Sequence, residues 1–193
     1  MKQEITIFKN IKDTDTPFYR KVYTVLERIK DGKSKDLITS IRREKNKAER
    51  NELKKQLPSI CFSGKFSKRE DNSLIHHSGL ICLDFDGYSK QKDLIQHKEK
   101  LIKDKYTFCV FISPSGNGLK VLVRIPNDAE NHVNYFKSLE NYYNSPNFDK
   151  TCKNISRVCY ESFDPLIYIN ENSELWEKIE EPEYREITVN IDS

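Results

Sequence analysis

Apolar residues at positions 18, 22, 25, 26 and 29 recur with a period near 3.6 along FYRKVYTVLERIKDG. That spacing predicts an amphipathic helix ending at Gly32. The following stretch, DLITSIRREKNKAERNELKKQL, is rich in helix formers and predicts a second helical segment that stops at Pro58. SICFSGKFSKREDNSLIHHSG then reads as a short strand followed by a polar loop, with His76 and His77 on the loop.

From residue 80 the period changes. LICLDFD is a short apolar run that predicts a buried strand, and Ser89 is placed to cap a helix running to about Lys103. YTFCVFIS predicts a second strand, SPSGNG a turn and LKVLVRI a third strand. Asn127 or Asp128 is placed to cap a helix through about Tyr143, RVCYESF predicts a fourth strand, and LIYI suits a fifth. The order β-α-β-β-α-β defines an α+β fold of the ferredoxin or RRM-like type, with both helices on one face. The chain then divides into an N-terminal helical, basic region packed on the core (1–79), the RRM-like core (80–170) and an acidic tail or linker (171–193). The tail holds eight Asp/Glu against Lys178 and Arg185, with Trp176 placed to dock it.

In such a fold the strands lie in the order 4-1-3-2, so the end of the first strand and the start of the third share one edge. The two-residue period of a strand puts Ile81, Leu83 and Phe85 on one face and Cys82, Asp84 and Asp86 on the other. Likewise Leu119, Val121, Val123 and Ile125 oppose Lys120, Leu122 and Arg124. With the apolar sets against the helices, Asp84, Asp86 and Lys120 meet beside the turn. Two neighbouring carboxylates repel each other and are costly to desolvate, and a hard divalent cation with oxygen ligands is the natural compensation. Asp-x-Asp alone is also common as a structural feature. The turn is open to two readings, a plain hairpin connection or a phosphate cradle in which glycines admit backbone amides and Ser113 and Ser115 add hydroxyls.

Composition narrows the class. Of 193 residues, 36% are hydrophobic and 33% charged, and ten Tyr with ten Phe argue against disorder. No run is apolar enough for a transmembrane helix, and MKQEITIFKNIKD has no hydrophobic signal core. Five scattered cysteines, three within apolar runs and none at zinc-ligand spacing, predict buried free thiols in a reducing cytoplasm. The net charge of +3 conceals an asymmetry: residues 1–79 carry nineteen Lys/Arg against eleven Asp/Glu. That surplus suits a polyanion, and it equally suits a solvated helix surface.

Three ordered motifs resemble the archaeo-eukaryotic primase superfamily, particularly the bacterial primase-polymerase-like domain labelled the virulence-protein-E N-terminal domain. They are Leu83-Asp84-Phe85-Asp86, the strand motif SPSGNGLKVLV, and Phe148-Asp149 followed by Arg157 within FDKTCKNISRVCYESFDP. LKKQLPSICFSGKF ahead of HHSGLICLDFD adds to the likeness, which spans roughly residues 20–170. The resemblance implies that Asp84, Asp86 and Asp149 are catalytic carboxylates holding Mg²⁺ or Mn²⁺. It implies that Ser113, Ser115, Gly116, Gly118, Lys120 and Arg157 bind a nucleoside triphosphate. Lys120 stands where many members place a histidine; lysine neutralises phosphate as a flexible point charge with no acceptor atom. Asp164, in Phe163-Asp164-Pro165, rivals Asp149 as the third carboxylate, and Lys153, Arg124 and Ser156 are further candidates.

The function implied is a primase-polymerase-like nucleotidyltransferase domain of a replication protein, acting on a DNA or RNA strand. The resemblance also suggests a mobile-element setting and an associated helicase or ATPase; this chain itself has no GxxxxGK[ST] match. The basic helices near residues 20–55 would hold template backbone or cover the open sheet face. Competing readings are a non-catalytic nucleotide- or nucleic-acid-binding module, a metal-dependent nuclease, and an RNA-binding module. The last would present aromatic residues where Asp84, Asp86 and Lys120 stand.

Overall fold

The strands on either side of the Ser/Gly turn form a hairpin at the centre of the molecule, and the rest of the chain packs against its two faces. The computed structural model describes residues 3–179. In chain order the elements are β1 (Glu4–Phe8), β2 (Phe18–Lys21), α1 (Val22–Asp31), α2 (Lys35–Arg43), α3 (Lys47–Lys54), β3 (Ser59–Cys61), β4 (Gly64–Phe66) and β5 (Leu74–His77). They continue with β6 (Leu80–Phe85), α4 (Gln91–Lys103), β7 (Thr107–Ile112), β8 (Leu119–Arg124), α5 (His132–Tyr143), β9 (Cys159–Tyr160) and β10 (Tyr168–Ile169).

The central sheet runs β10-β7-β8-β6, antiparallel throughout. One face carries Ile81, Leu83, Phe85, Val110, Val121 and Val123, which bury against Leu94 and Leu101 of α4 and Tyr135, Phe136 and Leu139 of α5. Both helices therefore share a face, as the β-α-β-β-α pattern predicts. The other face, with Leu80, Phe108, Phe111 and Leu122, is sealed by Ile5, Ile7 and Ile60 and by the apolar stripe of α1, Val22, Val25, Leu26 and Ile29. Burying a stripe of that kind is what holds a short helix in place. Gly32 closes α1 in the left-handed conformation, φ 81°, which a side chain would disfavour.

Several expectations are corrected. The N-terminal region is not purely helical: β1, β2, β3 and the tail-end β9 form a second sheet in the order β2-β1-β3-β9, and β4 pairs with β5. Phe18 falls on the helical period by coincidence; it pairs with Ile7 as a strand residue and is exposed. The second helical segment breaks into α2 and α3 because the Asn46 side chain accepts hydrogen bonds from the Ala48 and Glu49 amides and starts a new helix. Ser89 does not cap α4, which begins at Gln91 after an uncapped Lys90. Asp128 is spent on Asn131, just ahead of α5.

The fourth strand differs most. Of RVCYESF only Cys159–Tyr160 is strand, and it pairs with Ser59 and Ile60 in the second sheet instead of with the first core strand. Glu161, fully buried, explains the choice: its carboxylate accepts hydrogen bonds from Arg28 of α1 (2.7 Å) and from Ser34, and a buried carboxylate needs such partners. The vacated edge of β6 is met by residues 147–149. Asp86 N–H donates to Asn147 O (2.8 Å), Asp149 N–H donates to Asp84 O (2.9 Å), and Phe85 bridges Phe148. LIYI supplies β10 at the outer edge of β7. Trp176 docks in a cage with Tyr106 and Tyr142, at 4.9 and 4.7 Å between ring centroids. Arg185 and the rest of the acidic stretch beyond 179 lie outside the described residues.

Candidate active site

Strand register places Asp84 directly across from Lys120. The Lys120 Nζ pairs with Asp84 Oδ2, while Asp84 Oδ1 is buried with no hydrogen-bond partner. Asp84 is only 8% exposed, so an orphaned carboxylate oxygen there is expensive. Burial alone would lower the Lys120 pKa; the facing Asp84 charge outweighs it and holds the ammonium above its ordinary range.

Asp86 ends the same strand, one residue past the last rung, and its side chain reaches solvent. Burial of its inner edge, then the Asp84 charge, raises its pKa, with Lys120 opposing. Gly118 lies underneath: a Cβ at that position would collide with Asp86 Oδ1 and would come within 2.9 Å of Phe85 O. The turn therefore requires glycine at 118 because the carboxylate occupies the space of its missing side chain.

Asp149 reaches the pair through the 147–149 bridge rather than through a strand of its own. Its Oδ1 accepts from the Thr151 amide (2.9 Å) and hydroxyl (2.7 Å), and the Cys152 thiol donates to Oδ2 at 3.1 Å. Burial would raise this carboxyl, but those hydrogen bonds and the Arg157 charge hold it below the ordinary carboxylate range. Asp84, Asp149 and Cys152 each offer one ligand atom, all within 4.8 Å of one another. An unpartnered buried oxygen, a second carboxylate and a nearby third one fit a divalent cation. Burial, then the bond to Asp149, pushes the Cys152 thiol up to about 12, so it offers a neutral sulfur rather than a thiolate.

The turn at 113–118 closes as a hairpin. Ser113 N–H donates to Gly118 O (2.8 Å) and Gly116 N–H donates to Ser113 O (2.9 Å), so two of the amides expected to cradle phosphate are already used. The Ser113 and Ser115 hydroxyls lie 3.5 Å apart. Arg42 of α2 braces the turn by donating to Ser113 O (3.3 Å) and Phe163 O (2.8 Å). Lys54 of α3 comes close enough to feel Asp86, Asp84 and Lys120, and its burial lowers its pKa. Arg157 is exposed and stands apart from the turn, on the Asp149 side, in a cleft with Arg69, Ser156 and Tyr160.

The rival candidates are committed elsewhere. Asp164 is buried, pairs with Lys98 at 2.7 Å and accepts from the Ile112 amide at 2.9 Å. Arg124 donates to Glu171 O at 2.8 Å and lies over the Phe108 ring. His77 is no surface residue: it ends β5, buried, with Nε2 3.1 Å from His132 Nδ1. Cys152, Lys54, Arg42 and Arg69 escaped the sequence reading. The basic run of α3 was a usable signal for Lys54; nothing in the local pattern marks Cys152, whose place depends on the bridge to β6.

The fold is thus an α+β core that sets carboxylates at the end of the edge strand β6 opposite a lysine beside a Ser/Gly turn. The chain belongs to the BT4734-like family: residues 52–169 match the model of that family's N-terminal domain. That membership agrees with the resemblance to the archaeo-eukaryotic primase superfamily seen in the motifs. Among curated proteins, none matches the chain. A solved structure similar to it is the AEP domain of the cyanophage S-2L primase-polymerase, with 14% identity, 91% of this chain and 83% of that one covered, and a TM-score of 0.46. So loose a likeness does not bear on the site, which rests on this chain's own residues. No helix among the described residues is long and apolar enough to cross a membrane.

Proposed function

We propose that this chain is a primase-polymerase-like nucleotidyltransferase domain that adds nucleotides from nucleoside triphosphates to a DNA or RNA strand. The observation that carries the reading is the orphaned, buried Asp84 Oδ1 beside Asp149 and opposite Lys120. A strand interior does not keep such an oxygen without a use for it.

Asp84, Asp86 and Asp149 would hold Mg²⁺ or Mn²⁺, with the Cys152 sulfur at the edge of the same group. Cations bound there would lower the pKa of a strand's 3′-hydroxyl and neutralise charge on the departing pyrophosphate. Lys120 pairs with Asp84 and has further N–H donors to offer a phosphate. The Ser113 and Ser115 hydroxyls would orient the triphosphate, with Gly116 and Gly118 shaping the turn that carries them, and Arg157 would approach it from the Asp149 side. Lys54 and the basic surface of α2 and α3 suit the backbone of a template strand. A helicase or ATPase partner would supply the motor that this chain's sequence lacks, and five free thiols suit a reducing compartment such as the cytoplasm.

A primer–template extension assay with Mg²⁺ or Mn²⁺ tests the reading, run beside the Asp84→Ala/Asp86→Ala double variant. Metal-dependent extension lost in the variant is expected; a wild type that extends nothing, with or without primer, would overturn it. One observation favours a second reading, a module that binds nucleotide without turnover: Lys120 is already paired with Asp84. Triphosphate binding without pyrophosphate release would select it.

A further inference from the structure

On the far side of Asp149 a cleft of about 430 Å³ is lined by Arg69, Asn154, Ser156, Arg157 and Tyr160, with Ile11 and Val158 at its apolar wall. No carboxylate lines it. Asp71 is held by two of the lining residues: its Oδ1 accepts from the Ser156 amide (3.0 Å), the Ser156 hydroxyl (2.6 Å) and Asn154 Nδ2 (3.4 Å). Those bonds fix the 154–156 loop and hold Asp71 ionised at the rim, where the two guanidinium groups of the lining outnumber it. Arg69 arrives from the loop after β4, held by its amide bond to Thr14 O (2.9 Å). Its Nη1 is buried and has no hydrogen-bond partner, and neither Arg69 nor Arg157 forms an ion pair among the described residues.

Two unpaired guanidinium groups over one cleft, one with a buried orphaned donor, make a preformed anion site. The charges of Arg69 and Arg157 reach the Tyr160 hydroxyl, as does that of Lys55, which is paired with Glu52 at 2.6 Å; Arg157 also reaches Asp149 and Cys152. The cleft is thus continuous in charge with the carboxylate cluster. Its small volume and single buried donor suit the end of a polyphosphate; a nucleic-acid backbone calls for an extended track of cations.

We propose that this cleft seats the terminal phosphates of the bound nucleotide, and that Arg69, from the N-terminal region, grips them together with Arg157. The proposal rests on the nucleotidyltransferase reading for its ligand, and makes Arg69 the residue that distinguishes a triphosphate from a monophosphate.

Isothermal titration of the whole chain with a nucleoside triphosphate, the matching monophosphate and inorganic tripolyphosphate tests it, for the wild type, Arg69→Ala and Arg69→Lys. Thermal melting of each variant serves as the folding control. Arg69→Ala is expected to weaken triphosphate and tripolyphosphate binding about tenfold and leave the monophosphate nearly unchanged, with Arg69→Lys recovering part of the loss. Unchanged triphosphate affinity in a folded Arg69→Ala would overturn the proposal and leave the polymerase reading standing. So would a loss confined to single-stranded DNA, which would reassign the cleft to a strand backbone. Tripolyphosphate binding that depends on Arg69, in a protein that extends no primer, would uphold the cleft and sink the polymerase reading. A wild type that binds neither triphosphate nor tripolyphosphate would overturn both.

Discussion

Asp84 and Lys120 face each other on one rung of β6 and β8, and each makes the burial of the other tolerable. Removing one partner strands the other charge, which typically costs about 3–5 kcal/mol in a buried pair. Lys120→Met is therefore expected to lower the melting temperature clearly in metal-free buffer. Added Mn²⁺ should restore part of the loss, because a cation replaces the missing ammonium at Asp84. Melting curves with and without Mn²⁺ check this; a variant as stable as the wild type, or one indifferent to Mn²⁺, would contradict it.

Gly118 and Asp86 share one volume. Gly118→Ala puts a methyl where the carboxylate stands, forces Asp86 outward and presses on Phe85 O at the end of β6, while the backbone at 118 needs no unusual φ. The expected outcome is a weakened metal site, about tenfold or more, in a protein that stays folded. Mn²⁺ binding followed by electron paramagnetic resonance measures it, and a wild-type affinity would show that Asp86 is no ligand.

Asp86 is ionised against its surroundings, with burial and the Asp84 charge both raising its pKa. A carboxyl whose folded pKa is raised subtracts stability as pH rises through and above that pKa. Asp86→Asn should thus melt on the order of 1–3 °C higher than the wild type in metal-free buffer at pH 7. The gain should vanish near pH 3, where Asp86 is protonated and as uncharged as the asparagine that replaces it. Equal melting temperatures at pH 7 would mean that the position carries no electrostatic cost.

The buried His77–His132 pair predicts an acid limb. Burial depresses both, His77 to about 4 and His132 to about 3, whereas the unfolded chain takes up protons near 6.5. Between those values the unfolded state binds more protons, so stability is complete above about pH 6.5 and falls as the pH drops towards 4. Denaturant midpoints from pH 7 to 4 should show the decline. His132→Phe should flatten it, and a variant with the wild-type slope would assign the limb to other groups.

The alternation in LICLDFD and LKVLVRI was enough to predict the Asp84–Lys120 pairing, because a two-residue period and an antiparallel register leave little choice about which side chains meet. The α1 stripe and its Gly32 stop were equally legible. What the pattern hid was long-range. The fourth strand's defection to the second sheet depends on Glu161 finding Arg28, 133 residues away in sequence. Asp149 was readable as a carboxylate after Phe148, but not the backbone bridge that delivers it. β1 is a five-residue run beginning at residue 4, too short to stand out by its alternation, although the turn after it, where Asn10 and Asp13 accept from nearby amides, was a usable signal.

The pairing of Ser59 and Ile60 with Tyr160 and Cys159 bears on the order in which the molecule assembles. Asp84, Asp86, Lys120 and Gly118 are drawn together by strands separated by one helix and a hairpin. Arg69 and Arg157 meet only after a loop of about a hundred residues has closed, a step that loop entropy makes slow relative to local pairing. The acidic half of the site is accordingly expected to form first during refolding, and the cationic half last. A chain caught between the two stages would already attract a metal ion while having no grip on phosphate.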